Sequence, residues 1–425
     1  MYRLAAVCFA VVLAVLIPSP ANATSDFYTP PPSLTGAPGS IIKAEPMMMA
    51  LSLPTPDGAF PGTSTRMMYR STNTHDQPNA VTGTYIASAL PWHGHGPRPL
   101  IALPAGTQGQ GDQCAPSKLL NQLIHYRFPL DLMTEYEVLA IDVFLAQGYD
   151  VVMTDYEGLG TPGMHTYVNR KAQGYAVLDS VRAALHIAHG RLSSDSPVVT
   201  WGYSQGGGAS AAAGELQPSY APDINLKGVY AGGPTADLRA ILKMVDRTTL
   251  TGVIGYAMNS LRTQYPPIQK LIDKEANQAG LHFLDATAKE CVAESALRFA
   301  WAPTTAFTKR GESISQLLDR YPEEAKFVDL QKLGTVAPTA PALIHSNVND
   351  DILPNSQANT LARDWCRHGG HVWLTDAQWP SILPTTATGH VLGDLSGLVE
   401  SQKFVAAWIN GQVTPSNCGA THSQY

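Results

Sequence analysis

Trp201-Gly202-Tyr203-Ser204-Gln205-Gly206-Gly207-Gly208 follows directly on Pro197-Val198-Val199-Thr200. The β-branched run reads as a buried strand, and Ala209 to Leu216 beyond the glycines reads as a helix. Gly-x-Ser-x-Gly is a weak pattern by itself, equally at home in a glycine-rich turn. Between a strand and a helix it becomes a nucleophile elbow. A serine on so sharp a turn lifts its hydroxyl above the sheet edge, where a histidine can reach it. Gly202 and Gly206, lacking Cβ, let strand and helix approach closely enough to make that turn. The first turn of the following helix adds unpaired amides and a positive dipole end, both useful beside an oxyanion. Ser204 is therefore the expected nucleophile.

The chain around it has 425 residues, 44% hydrophobic and 15% charged, which is ordinary globular composition with ample core. A net charge of -6, without basic blocks, gives no electrostatic footing for nucleic acid. Residues 1–23 read as a secretory signal, with Arg3 as the positive end, Leu4 to Ile17 as the apolar core and Ala21-Asn22-Ala23 as the cleavage site. That apolar core is too short to span a bilayer, which takes about 20 residues, and no later segment is long and apolar enough to do so. The mature chain is thus expected to start near Thr24, to be exported to the cell envelope or beyond, and to carry no transmembrane anchor. Cys8 leaves with the signal, so Cys114, Cys291, Cys366 and Cys418 remain, an even number in an oxidising setting that permits three pairings. No Cys-x-x-Cys or His-Glu-x-x-His spacing is present, and His93 and His95 lie between Pro91 and Pro97 as loop histidines, so no metal is expected.

In chain order, Thr29 to Pro38 is a proline-rich arm, and Met67–Tyr69 with Val81–Ala87 look like opening antiparallel strands. Strands at Pro99–Leu103, Tyr149–Thr154, Val198–Thr200 and Leu226–Ala231 then alternate with helices at Tyr136–Gln147, Ala172–His189 and Ala209–Leu216. This is the signature of an α/β fold with a mostly parallel sheet covered on both faces. The alternation stops from about 236 to 335, where helical spacing takes over. It resumes with a strand at Ala342–His345, so the expected division is a core over 24–235, a helical cap insertion over 236–335 and the rest of the core over 336–425. In the insert, Ile241/Val245 and Ile268/Ile272 would form an apolar inner face, and Tyr265-Pro266-Pro267 a bend between helices.

A Ser…Asp…His order places the acid on a loop after a late strand and the base on a later loop. Asp350 in Asn349-Asp350-Asp351-Ile352-Leu353-Pro354 fits the first role, with Asp351 as its rival. His390 fits the second, on a loop before a C-terminal helix at Leu398–Trp408. His371 reads as a strand start, and His345 precedes the acid.

Four stretches, Gly202-Tyr203-Ser204-Gln205-Gly206-Gly207, Asp112-Gln113-Cys114-Ala115-Pro116-Ser117, Asp350-Asp351-Ile352-Leu353-Pro354 and Gly389-His390, together with the weaker Gly232-Gly233-Pro234, make the chain resemble the secretory lipase family, the Candida antarctica lipase A type and its actinobacterial relatives. The resemblance implies an α/β-hydrolase fold with a helical cap, and hydrolysis of lipid or other carboxylic esters without a cofactor, with a lipid–water interface as a setting. It gives Ser204 the role of nucleophile, Asp350 that of acid and His390 that of base. Gln205 would lend one oxyanion-hole amide. The second would come from the loop Gly106 to Gly111, with Thr107 and Gln108 favoured and Asp112 as alternative. It also implies the pairs Cys114–Cys291 and Cys366–Cys418. Rival readings are an exported serine peptidase or acyltransferase on the same fold, or a non-catalytic hydrolase-fold binding protein.

Overall fold

Short runs of Val, Ile, Leu and Met form the centre of this chain, because a strand covered on both faces has no use for polar alternation. The computed structural model describes residues 27–55, 58–188 and 190–419, so the expected signal at 1–23 lies outside the described residues. Nine strands form the main sheet. They are β1 (Ile41–Met47), β2 (Gly62–Thr72), β3 (Pro78–Ser88), β4 (Leu100–Ala102), β5 (Asp150–Thr154), β6 (Val198–Tyr203), β7 (Leu226–Gly232), β8 (Ala342–Asn347) and β9 (Val372–Ala377). Their spatial order is β1-β2-β3-β5-β4-β6-β7-β8-β9. Pairings from β1 to β5 are antiparallel, and every later one is parallel. β4, β5, β6 and β8 are buried at every residue.

Alternate residues of these strands face opposite layers. Val229, Ala231, Ala342 and Ile344 pack with Ala211, Ala212, Leu361 and Trp365 of the helices Gln205–Tyr220 and Asn355–Arg367. Their neighbours Tyr230 and Leu343 belong with Phe404, Val405 and Trp408 of the helix Thr388–Ile409. Trp201 stacks on Tyr230 with ring centroids 5.0 Å apart, and its indole N–H donates to Ser401 Oγ at 2.8 Å, which anchors β6 in the middle of the sheet.

Between β7 and β8 lie seven α-helices, from Leu238–Val245 to Pro322–Asp329. Their apolar side chains form a core of their own, joined by Tyr167, Val168, Ile352 and Leu353 from outside the insert. The bend at Tyr265 separates Gly252–Gln264 from Pro266–Glu275, with Pro266 opening the second helix, where its missing N–H costs nothing. Among the described residues no helix is long and apolar enough to cross a membrane.

Three local expectations change. The helix expected over Tyr136–Gln147 is confined to Val138–Leu145. Two small antiparallel strand pairs, Leu53–Thr55 with Gly58–Phe60 and Ile124–Arg127 with Asp131–Thr134, were not foreseen, since each strand is only three or four residues long. The C-terminal helix begins at Thr388 rather than Leu398. Gly389, Gly393 and Gly397 lower helix propensity there, but they recur every four residues and form its contact face. A Cβ on Gly393 would stand 2.4 Å from Tyr203 Oη, and one on Gly397 2.1 Å from Tyr230 Oη, so glycine is what lets this helix reach the sheet.

The disulfides are Cys114–Cys291 and Cys366–Cys418. The first ties the loop after β4 to the insert across a sequence separation of 177 residues, with Cα atoms 5.5 Å apart. Backbone pairing accompanies it: Gly109 bridges Cys291, and Gln110 N–H donates to Glu290 O at 3.0 Å. Replacing Cys114 and Cys291 together by serine is expected to lower unfolding free energy by about 2–5 kcal/mol, mainly by freeing the unfolded chain. The check is a urea titration of both forms under non-reducing conditions; coincident midpoints would contradict it.

Candidate active site

β6 ends at Tyr203, and the helix Gln205–Tyr220 starts one residue later. Ser204 makes the turn at φ 58°, ψ -121°, a conformation that costs an L-residue about 1–3 kcal/mol. Two glycines make the turn sterically feasible. A Cβ on Gly202 would lie 2.4 Å from Gly206 O, and one on Gly206 2.2 Å from Pro104 O. Ser204 N–H donates to Gly232 O at 2.9 Å, which fixes the elbow against β7. Ser204 lines a narrow apolar cavity shared with Thr107, Leu238, Ile241, Val245, Ile254 and Leu353.

The loop after β8 presents two carboxylates with different work. Asp350 Oδ2 lies 2.7 Å from His390 Nδ1, while Oδ1 accepts the N–H groups of Ile352 and Leu353 at 2.9 and 2.8 Å. That arrangement puts the imidazole proton on Nδ1 and leaves Nε2 as the free acceptor. Asp351 faces the backbone instead. Its Oδ2 accepts from Thr386 and Ala387 at 2.9 and 3.0 Å, and its Oδ1 from Gly389 and His390 at 3.0 and 3.3 Å. These include donors of the helix start that no intrahelical carbonyl can satisfy. His390 thus stands in the first turn of the helix Thr388–Ile409, not on a loop before it.

Tyr203 and Asn347 hold the same turn from the sheet side. Tyr203 OH donates to His390 O at 2.9 Å with the rings 4.9 Å apart, and Asn347 Nδ2 donates to Gly389 O at 2.8 Å. Because Tyr203 precedes Ser204, these contacts bring the histidine beside the elbow. Among the described residues Ser204 Oγ makes no hydrogen bond; in a resting site that contact is often long and tightens with substrate. His345 lies within β8, bonded to Thr375 and Ser396 and pushed down to about 4 by burial, and His371 bonds Thr414 O.

Burial alone would push the His390 pKa down. The charge and hydrogen bond of Asp350, with Asp394 and Asp351 behind them, outweigh it and hold the ring above the ordinary histidine value. Asp394, one helical turn on, is itself pushed up to about 6 by burial, against the pull of His390.

Among the residues that the sequence assigns to an oxyanion hole, Gln205 opens the helix, where a first-turn N–H has no intrahelical acceptor, and its side chain is buried. Its Nε2 lies 3.2 Å from His165 Nε2, while His165 Nδ1 lies 3.1 Å from Glu157 O. Burial pushes His165 down to about 4, so the neutral ring donates through Nδ1 and accepts the amide of Gln205. Thr107 lines the Ser204 cavity, with its Oγ1 2.8 Å from Tyr167 OH. Gln108 is buried off that cavity, its carbonyl accepting Val292 N–H at 2.8 Å, and the exposed Asp112 accepts Gly160 N–H at 3.1 Å. His165, Tyr167 and Tyr203 had no role in the sequence reading. Tyr203 lay inside the elbow, but nothing in its neighbours indicated a bond to a residue so far along the chain.

Asp350→Asn is expected to cut ester turnover by about 10⁴-fold with the fold retained. Asp351→Ala, by contrast, is expected to lower the melting temperature, because it strips several backbone donors of their acceptor. A larger kcat loss in Asp351→Asn than in Asp350→Asn would reverse the assignment. Base catalysis needs neutral Nε2, and the His390 pKa lies above its usual value of about 6.5. Activity should therefore fall as pH drops through a midpoint above that value, and Asp394→Asn should move the midpoint down. An unchanged kcat/KM profile in Asp394→Asn would remove its charge from the account.

Comparison with known proteins agrees with this architecture. The family described as secretory lipase matches residues 127–409. A probable inactive lipase of Mycobacterium tuberculosis is 30% identical over 351 residues, covering 81% of this chain and 75% of the relative. A secreted triacylglycerol lipase of Malassezia furfur is 27% identical over 361 residues, covering 83% and 69%. Among solved structures, Candida antarctica lipase A in its closed state superposes with a TM-score of 0.74 at 24% identity, covering 95% of this chain and 89% of that one. A rice cell wall degrading esterase of Xanthomonas oryzae reaches 0.70 at 18% identity, covering 87% and 99%. Sheet order, elbow and insert therefore make an α/β-hydrolase, and the chain belongs to the secretory lipase family.

Proposed function

We propose that this protein is an exported serine hydrolase that cleaves carboxylic esters of lipids through a covalent acyl-enzyme. The observation that carries the reading is Ser204 on its strained elbow, lining an apolar cavity, with a His390–Asp350 pair held at 2.7 Å and tied to the adjacent Tyr203. His390 Nε2 takes the proton of Ser204 as Oγ attacks the ester carbonyl, then returns it to the leaving alcohol; water repeats the cycle and releases the acid. Asp350 keeps the ring in the required tautomer and stabilises the imidazolium. The backbone N–H groups of Gln205 and Thr107 receive the developing oxyanion. Export is supported by the signal pattern of residues 1–23 and by the likeness to a secreted lipase of Malassezia.

The insert acts in this reading as a cap that binds the acyl chain. Ile241 and Val245 line the cavity at Ser204, and Ile268 and Ile272 line a second apolar cavity within the insert. The two cavities share one wall residue, Ile254, which is fully buried between them. Each buried methylene stabilises binding by about 0.8 kcal/mol, so specificity should rise with chain length until the space is filled.

The mycobacterial relative described as inactive favours one rival, a binding protein on a hydrolase fold. A fluorophosphonate probe separates the two. It should label native protein and leave Ser204→Ala unlabelled and inactive, whereas native protein that takes up no probe would favour the rival. In a chain-length series of soluble esters, medium or longer acyl groups are expected to exceed acetate in kcat/KM. Ile254→Ala should extend the preferred length, and a maximum at acetate would reduce the enzyme to a plain carboxylesterase.

A further inference from the structure

The stretch Ala105-Gly106-Thr107 leads from β4 to the cavity with most of its polar groups anchored. Tyr156 OH donates to Ala105 O at 2.7 Å, Gly106 N–H donates to Glu137 Oε1 at 2.6 Å, and Tyr136 OH donates to Thr107 O at 3.0 Å. The hydroxyls of Thr107 and Tyr167 lie 2.8 Å apart. Glu137 and Tyr136 thus hold the peptide groups immediately before and after the Gly106–Thr107 peptide. The N–H of that middle peptide, Thr107 N–H, has no partner among the described residues. Peptide units are planar, so with both neighbours fixed the middle one has little freedom left. Tyr136 and Glu137 are consecutive and lead into the helix Val138–Leu145, so one short piece of chain supplies both contacts. Their approach requires glycine at 106, where a Cβ would stand 2.6 Å from Tyr136 Oη and 3.2 Å from Glu137 Oε1.

We propose that Tyr136 and Glu137 are positioning residues for the oxyanion site, gripping the chain on both sides of Thr107 so that its backbone N–H points at the carbonyl oxygen of an ester attacked by Ser204. The proposal rests on the reading of Ser204 as nucleophile and Thr107 as donor. Burial, and then the carboxylate of Asp394, push the Glu137 pKa up to about 8, against the pull of Gly106 N–H. At neutral pH the carboxyl group is therefore mostly protonated and accepts the amide through its carbonyl oxygen. Glutamine offers the same acceptor, and leucine offers none.

The test is to measure kcat and KM for a soluble butyrate ester, inhibition by a trifluoromethyl ketone, and melting temperature in Tyr136→Phe, Glu137→Gln and Glu137→Leu. The ketone binds as a charged tetrahedral adduct and so reads the oxyanion site directly. Loss of a whole oxyanion donor lowers kcat about 10²–10³-fold; misaiming one by deleting a single hydroxyl should cost about 10-fold. Tyr136→Phe should show that loss with KM and melting temperature close to those of the parent, and should weaken the ketone by the same factor. Glu137→Leu should lose more, and Glu137→Gln should recover most of it. Parent-like kcat and ketone affinity in Tyr136→Phe and Glu137→Leu would overturn the clamp while leaving the nucleophile intact. Should Glu137→Leu fail to fold, parent-like values in Tyr136→Phe alone overturn it. If the parent chain neither hydrolyses the ester nor labels with fluorophosphonate, the nucleophile reading falls first and the clamp with it.

Discussion

A non-glycine residue at positive φ in the middle of a protein is a standing cost, and Ser204 bears it at the end of a fully buried strand. The conformation persists because its surroundings leave no alternative. β6 is paired on both sides, Ser204 N–H is bonded to Gly232 O, and the following helix is buried along most of its length. Gly202 and Gly206 allow the two elements to touch, and the close approach of Gly206 to Pro104 fixes where the loop after β4 must pass. The elbow thereby decides the position of the serine, of the helix dipole behind it and of the loop carrying Thr107.

That loop is also the junction between the sheet and the insert. Cys114–Cys291 joins them covalently, Val292 N–H donates to Gln108 O, and Gln110 Nε2 donates to Tyr256 O at 3.0 Å while its Oε1 accepts from Asn259 at 3.0 Å. An element near a reacting carbonyl must be placed within a fraction of an ångström, and loops alone seldom manage this. Here the loop is pinned from the insert on one side and by tyrosines and a buried glutamate on the other.

The sheet was largely legible in the sequence, because its inner strands are short unbroken apolar runs separated by helical spacing, with little ambiguity of period. Elements that depart from the local rules were not. The helix carrying His390 is glycine-rich at its start and reads as loop, since what stabilises it, the carboxylate of Asp351 and the hydroxyls of Tyr203 and Tyr230 against its glycines, comes from other parts of the chain. For the same reason Asp350 and Asp351 stood as rivals: adjacent carboxylates look alike until their partners are in place. Glu137 resembles any surface glutamate at a helix start, and only burial against Gly106 N–H distinguishes it. Fold patterns are local in sequence, whereas the support of a reactive group is assembled from distant segments.

The two aspartates after β8 give the histidine an unusual kinematic arrangement. One grips the ring and its neighbour grips the backbone of the same residue, so ring and main chain are referred to a single loop. A displacement of that loop carries both grips together, and the ring keeps its orientation relative to its own backbone. Asp350 and His390 then move as one rigid body, and the geometry that remains adjustable is the gap between that body and the serine elbow. Errors in the placement of β8 become errors in that single distance rather than in the tautomer or tilt of the imidazole.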